Sequence, residues 1–311
     1  MDLYCCEKPE NEVRAYDDPT ILHDRVLKNL LKTEDRYVLP FNASLAKTQK
    51  EVTEEMRKIV AEWMMEVCEE QKCQDEVFSL AMNYMDRFLM CCSIMKSQLQ
   101  LLGTTCLLLA SKFRESTPLA GETLVYYTDH SVTKQQLWRW ELLVLSQLKW
   151  DISAVTPHDF LKHLFNRLPP LEEKWNISYE MVQKHAKTLI TLCAREFTFS
   201  RYHPSIIACA SIASALCGVG WIYKSGRSLE DLLQRLTEIT NIEKDYIQQC
   251  LTLIDKMIRD SSYLEQEVQS QEVVTSYDAS LRPGESTPPP MEKNQEHSTA
   301  LTPTDVHDIH F

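Results

Sequence analysis

The sequence predicts an all-α fold, and three observations predict it. Glycine is scarce, with six in 311 residues, and only Gly103 and Gly121 precede residue 218. That is too few for the tight hairpins of a sheet protein. In MRKIVAEWMMEV, Met56, Ile59, Val60, Trp63 and Val67 fall at i, i+3, i+4, i+7 and i+11, one face of a helix. The run Leu99–Ala110 is apolar or small on every side, which suits a helix enclosed by other helices.

Taken in order, residues 1–22 form a polar arm, and helical patterns follow over 23–33, 53–70, 75–90, 97–114, 121–127 and 133–147. The second half continues the pattern over 157–166, 178–196, 204–217, 229–238 and 243–260. Ser97 is placed to cap the third long helix, Thr133 precedes KQQL, and Thr156-Pro157 sets a capping hydroxyl before a first-turn proline. Gly103, Thr104, Thr105, Cys106 and Ala110 are small enough for neighbouring helices to approach closely. The order FSLAMNYMDRFL then LLGTTCLLLAS returns as AKTLITLCAREF then SIIACASIASAL, an amphipathic helix before a small-residue helix. Two copies of one helical unit, each around its own central helix, would produce that pattern. Beyond residue 262 acids dominate, apolar residues thin out and TPPP occurs at 287–290, so 263–311 reads as a disordered acidic tail.

Composition excludes several classes. A formal charge of -12 opposes nucleic acid as the main partner. Eleven cysteines scattered through apolar helical patterns read as reduced core residues. Asp2 and Glu7 follow Met1 closely, so no secretory signal is expected, and the sequons at Asn42 and Asn176 read as incidental. Residues 202–223 carry no Asp, Glu, Lys or Arg over a length near the ~20 residues of a bilayer span. Ser, Cys, Ala, His and Pro lower its hydropathy and Gly218 and Gly220 break its end, so it reads as a buried central helix, and no membrane partner is expected. No phosphate-cradling GxxxxGK or GxGxxG, no GxSxG, and no HRD or DFG set is present. Cys68 with Cys73, Cys91-Cys92, and His158 with His163 lack metal-site spacing, so no metal and no cofactor are expected.

Two charges stand out. Lys112 ends the apolar run, and Glu141 shares a helical face with Leu137, Val144 and Leu148. A buried unpaired charge is costly, so each must reach solvent or a partner. Periodicity alone favours an intramolecular ion pair between them or two snorkelling side chains.

MRKIVAEWM, the LQLLG…LASK helix and Glu141 one helix later resemble the first box of a cyclin. EVCEEQKCQDEVF, LAMNYMDRFL and LKWDISAVTPHDF are similar to a D-type, G1/S-specific cyclin, and the resemblance runs from Leu3 to the C-terminus. It implies two tandem five-helix cyclin boxes, over 23–152 and 153–262. It implies no chemistry of the chain's own, but a regulatory subunit that activates a G1 cyclin-dependent kinase. Lys112 and Glu141 would contact that kinase, with Phe113, Glu115 and Leu142 as neighbours. Alone, the α-helical ladder reads as an ordinary core face. The resemblance makes Met56, Ile59, Val60, Trp63 and Glu66, with Leu99 and Gln100, a groove for Arg-x-Leu segments of substrates and Cip/Kip-type inhibitors. Val60 stands where many cyclins have leucine and Lys58 where many have alanine.

Leu3, Cys5 and Glu7 fit L-x-C-x-E, and alternate side chains of an extended peptide face one way. In a D-type cyclin this looks like the docking motif for retinoblastoma-family pocket proteins. Thr302 in TPTDV resembles the D-type phosphorylation site that triggers nuclear export and recognition by a ubiquitin ligase, so the chain is expected to shuttle between nucleus and cytoplasm. Two rival classes are a cyclin-box initiation factor, opposed by the acidity and the absence of a zinc ribbon, and a mitotic or transcriptional cyclin, opposed by the L-x-C-x-E arm.

Overall fold

The computed structural model describes residues 18–171 and 177–260. Among the described residues every regular element is helical and there is no strand. The elements are α1 (Asp24–Thr33), α2 (Leu45–Thr48), α3 (Glu54–Glu70), α4 (Asp75–Cys91), α5 (Leu99–Arg114), α6 (Gly121–Tyr127) and α7 (Lys134–Gln147). There follow α8 (Pro157–Phe165), α9 (Tyr179–Arg195), α10 (Pro204–Gly218), α11 (Trp221–Ser225), α12 (Leu229–Thr240) and α13 (244–260). The terminal arm before residue 18, the tail after residue 260, and with them Leu3, Cys5, Glu7 and Thr302, lie outside the described residues.

Each half is built around one enclosed helix. In the first, α3, α4, α6 and α7 pack on α5, and every α5 residue from Leu101 to Ser111 is buried. Gly103 makes this closeness possible: a Cβ there would lie 2.8 Å from Val60 Cγ1 and 3.0 Å from Met64 Sδ. In the second, α8, α9, α11 and α12 pack on α10, whose residues Pro204 to Leu216 are all buried. That run is the charge-free segment of the sequence. Among the described residues no helix is long and apolar enough to cross a membrane.

Local chemistry sets the ends of these helices. The Thr133 hydroxyl accepts from Gln136 N while Gln136 Oε1 accepts from Thr133 N, a reciprocal box that satisfies orphan donors of α7. Thr156 and Asp159 repeat it before α8, with Pro157 in the first turn. Ser97 does not cap α5 as the sequence suggested. It sits in a 3-10 turn, Lys96–Gln98, that leads into α5 with no side-chain cap on that helix. The short helices α2 and α11 are absent from the periodicity because four or five residues cannot display a period. Trp221 gives α11 its anchor at 3% exposure, and Gly220 (φ 73°) and Gly226 (φ 70°) bracket it in left-handed conformations. The end of the expected flexible arm is a 3-10 turn, Pro19–Leu22, capped by Asp18. Arg167 holds it, donating to Leu22 O at 2.6 Å and to Asp24 Oδ1 at 2.8 Å.

Candidate functional site

Two faces of the first half present side chains to solvent in ways that core packing does not require. The first is formed by the C-terminal end of α5 and by α7. Ser111 is fully buried, and its Oγ accepts from Leu119 N at 3.2 Å, closing the chain as α5 leaves the core. One residue later Lys112 Nζ reaches Glu141 Oε1 at 2.6 Å, with side-chain exposures of 46% and 18%. Glu141 sits between Leu137 and Val144, both fully buried, at the margin of the α7 core stripe. Of the two readings that periodicity left open, the ion pair is therefore the one present, and it lies at the surface. Around it Phe113, Trp138 and Leu142 are exposed, Leu142 to 64%. Large apolar groups exposed together mark interaction surfaces. Glu115 is differently engaged: its Oε1 accepts from Gln74 N at 2.6 Å, satisfying the backbone at the start of α4.

The second face lies along α3. Met56, Val60 and Trp63 are half-buried, Ile59 is 65% exposed and Glu66 is exposed. The core face of this helix is instead Arg57, Ala61, Met64, Val67 and Cys68. The ladder read from the sequence thus divides. Val67 packs inward, while its first four members line the surface. Trp63 is oriented by a bond from Nε1 to Tyr127 O at 3.3 Å, which ties α3 to the end of α6. Leu99 is buried at the base of α5, and Gln100 beside it accepts from Ser131 Oγ at 3.1 Å. Lys58 leaves the stripe for Glu196, at 2.7 Å.

Behind this face is a residue that sequence reasoning gave no role. Arg57 is completely buried. Its Nε and Nη2 each lie 2.7 Å from the Asp86 carboxylate. The same guanidinium donates to Ala194 O and Arg195 O at the end of α9, and stands over the Phe197 ring at 5.6 Å. Ser200 Oγ also donates to Asp86. The arginine therefore joins α3 and α4 of the first half to α9 of the second. A signal was available: Arg57 shares a helical face with Ala61, Met64 and Cys68, and Asp86 falls inside the apolar face of α4.

Among the described residues no group of three or more His, Cys, Asp or Glu could hold a metal ion. His158 is buried with its imidazole pushed down to about 4 by desolvation, and neither ring nitrogen has a hydrogen-bond partner. Glu34 is buried and its carboxyl is raised by desolvation, although Ser205 donates to it from both N and Oγ.

Tandem helical units, each around a small-residue central helix, define an all-α protein of two repeated helical domains. The model for the cyclin N-terminal domain matches residues 25–153, and that for the cyclin C-terminal domain matches 155–282. G1/S-specific cyclin-D3 of Homo sapiens is 44% identical over 100% of both chains. G1/S-specific cyclin-D2 of Gallus gallus is 43% identical, also over 100% of both. Among solved structures, a viral cyclin from herpesvirus saimiri superposes with a TM-score of 0.63 at 26% identity, over 76% of this chain and 97% of that one. The chain belongs to the cyclin family, in its D-type, G1/S-specific branch.

Proposed function

We propose that this D-type cyclin activates a G1 cyclin-dependent kinase through the face around Lys112 and Glu141. The observation that carries the reading is the 2.6 Å ion pair held at the surface among exposed Phe113 and Leu142. A kinase is active when its Lys–Glu pair and metal-binding loop are both in place, and a partner that binds that arrangement more tightly shifts the kinase toward it. Exposed apolar side chains supply contact area for the kinase C-helix. The charged pair supplies orientation, because polar groups left unmatched in a misdocked complex are penalised. The cyclin contributes no reacting group to phosphoryl transfer.

The α3 face serves substrate selection. Met56, Ile59, Val60 and Trp63 offer an apolar stripe for the leucine of an Arg-x-Leu segment, and Glu66 a carboxylate for its arginine. Cip/Kip-type inhibitors use the same groove. Leu3, Cys5 and Glu7 recruit retinoblastoma-family proteins by tethering them near the kinase, which raises their effective concentration. Phosphorylation of Thr302 creates a recognition site for a ubiquitin ligase and sets movement between nucleus and cytoplasm.

Reconstitution tests this reading. The chain, co-purified with a G1 cyclin-dependent kinase, is assayed on a retinoblastoma fragment beside Lys112→Glu and a Leu3/Cys5/Glu7→Ala variant. The expected outcome is a stable active complex, lost with Lys112→Glu, and weakened on the pocket-containing substrate alone by the arm variant. A folded chain that forms no complex with any G1 kinase would refute it.

A further inference from the structure

The C-terminal end of α3 holds two thiols in an arrangement that the kinase and docking faces do not use. Lys72 adopts φ 53°, Lys72 N donates to Glu69 O at 3.1 Å, and Cys73 N donates to Cys68 O at 2.9 Å. These two bonds are the Schellman helix stop, whose geometry brings the side chain just past the stop against one in the last helical turn. That contact is ordinarily apolar. Here both positions are cysteine. The two residues stand together on the wall of a groove of about 400 Å³ shared with Met65, Phe78, Lys184 and Lys187. Cys68 is buried at 8% exposure, whereas Cys73 is half-buried.

We propose that Cys73 and Cys68 form a peroxide-responsive dithiol, in which Cys73 is oxidised first and Cys68 then closes an intrachain disulfide. The steps balance. The Cys73 thiolate attacks one oxygen of a hydroperoxide, the O–O bond breaks, and a sulfenic acid and, for hydrogen peroxide, hydroxide result; the hydroxide takes a proton to become water. The Cys68 sulfur then attacks the sulfenic sulfur, an S–S bond forms, and the S–OH oxygen leaves as water with the Cys68 proton. Two thiols lose two electrons and two protons, and one peroxide becomes two waters. The division of roles follows from the contact. Donation from Cys68 lowers the Cys73 pKa, while the same bond and burial hold the Cys68 proton in place. Glu115 repels charge at both sulfurs and opposes the thiolate, and the hydrogen bond is the larger effect at Cys73. A disulfide needs its two side chains close together, and the helix stop sets Cys73 against Cys68 through the Cys73 N to Cys68 O bond.

The test uses the full-length chain treated with hydrogen peroxide, alkylated, and digested with trypsin without reduction. Cleavage after Lys58, Lys72 and Arg87 places Cys68 alone in peptide 59–72 and Cys73 alone in peptide 73–87. A disulfide between them therefore joins two otherwise separate peptides. The joined species is expected in oxidised protein, is lost on reduction, and is absent from Cys73→Ser. Cys68→Ala is expected to leave Cys73 as a sulfenic acid trapped by dimedone. The proposal is overturned if the joined species is absent at a peroxide dose that oxidises the exposed Cys91, or if peptide 73–87 is joined to any other cysteine. Circular dichroism checks that both variants keep their helices, and the wild-type peptide map decides the question if either does not.

Discussion

The Arg57 guanidinium and the Asp86 carboxylate meet in a two-bond fork, Nε to Oδ1 and Nη2 to Oδ2, each 2.7 Å, at side-chain exposures of 0% and 4%. Two further donors of Arg57, on Nη1 and Nη2, go to carbonyls at the end of α9, so the pair is bound into the junction of the two cyclin boxes. Paired and hydrogen-bonded, such ions contribute little net stability over an apolar equivalent. Broken, they leave a charge stranded in the interior.

Arg57→Ala is therefore expected to destabilise the chain by about 3–5 kcal/mol, since Asp86 loses its countercharge and keeps only the Ser200 hydroxyl, and two α9 carbonyls lose a donor. Arg57→Met with Asp86→Leu removes both charges and restores volume, and should recover a large part of that loss. Urea denaturation of the two variants beside wild type measures both. Equal instability of the single and double variants would show that the bonds to α9, rather than the stranded carboxylate, dominate.

This pair also shows how far the sequence could be read. Long helices were legible because ten or more residues display a period, and α5 and α10 announced themselves by small apolar residues on all sides. The short helices α2 and α11 were not, because their positions depend on anchors such as Trp221 and on glycine backbone geometry. The α3 ladder was legible as apolar but not as exposed. Val67 and Ile59 carry the same hydrophobic signal, and only the packing of α5 and α9 sends one inward and the other to solvent. Arg57 was missed because a single charge on an apolar face has two readings, snorkelling or pairing, and the partner lies 29 residues away.

Gly103 ties the core to the proposed docking face, through its close approach to Val60 on α3. Alanine there gains helix propensity of up to about 1 kcal/mol. Its Cβ, however, would lie 2.8 Å from Val60 Cγ1, a stiff branched side chain close to its own backbone, so α3 has to move. Overpacking of this kind costs about 1–3 kcal/mol, so the net change is expected to be destabilising by about 1 kcal/mol or more. A thermal melt reads the stability, and calorimetric titration with an Arg-x-Leu peptide reads the groove, where affinity should also fall because Val60 lines it. A Gly103→Ala protein as stable as wild type would show that Val60 rotates out at no cost.

The buried imidazole of His158 predicts a pH dependence with a definite sign. In the unfolded chain it takes up a proton near 6.5, and in the folded chain only near 4, because burial disfavours the charged form. Between those values the unfolded state binds more protons. Stability is then unaffected by this group above 6.5 and falls as pH drops through the window, by on the order of 3 kcal/mol in total. Asp75 and Asp159 favour protonation, and Lys187 and Arg114 oppose it, without overcoming desolvation. Glu34 and Glu76, whose carboxyls are raised by burial, act in the opposite sense, becoming less costly as pH falls. Comparing His158→Phe with wild type by urea denaturation at several pH values isolates the histidine. The variant should lack the extra acid loss, and parallel curves would contradict the assignment.

Charge exchange between Lys112 and Glu141 separates the two meanings of that ion pair. As an exposed pair it is worth about 0–1 kcal/mol to the fold, because solvent screens it and two side chains must be held in place. Lys112→Glu should therefore leave the melting curve nearly unchanged, while placing two carboxylates side by side on the surface proposed to meet the kinase. Adding Glu141→Lys restores attraction within the cyclin but presents each charge at the other's position. If the pair served only the fold, the exchanged protein would regain kinase binding along with its ion pair. If the pair orients the kinase, the exchanged protein should fold normally and still fail to bind, because polar contacts across an interface depend on where each charge sits. Pull-down with a G1 cyclin-dependent kinase at matched protein stability reads the difference, and the expected order of binding is wild type well above both the single and the exchanged variant.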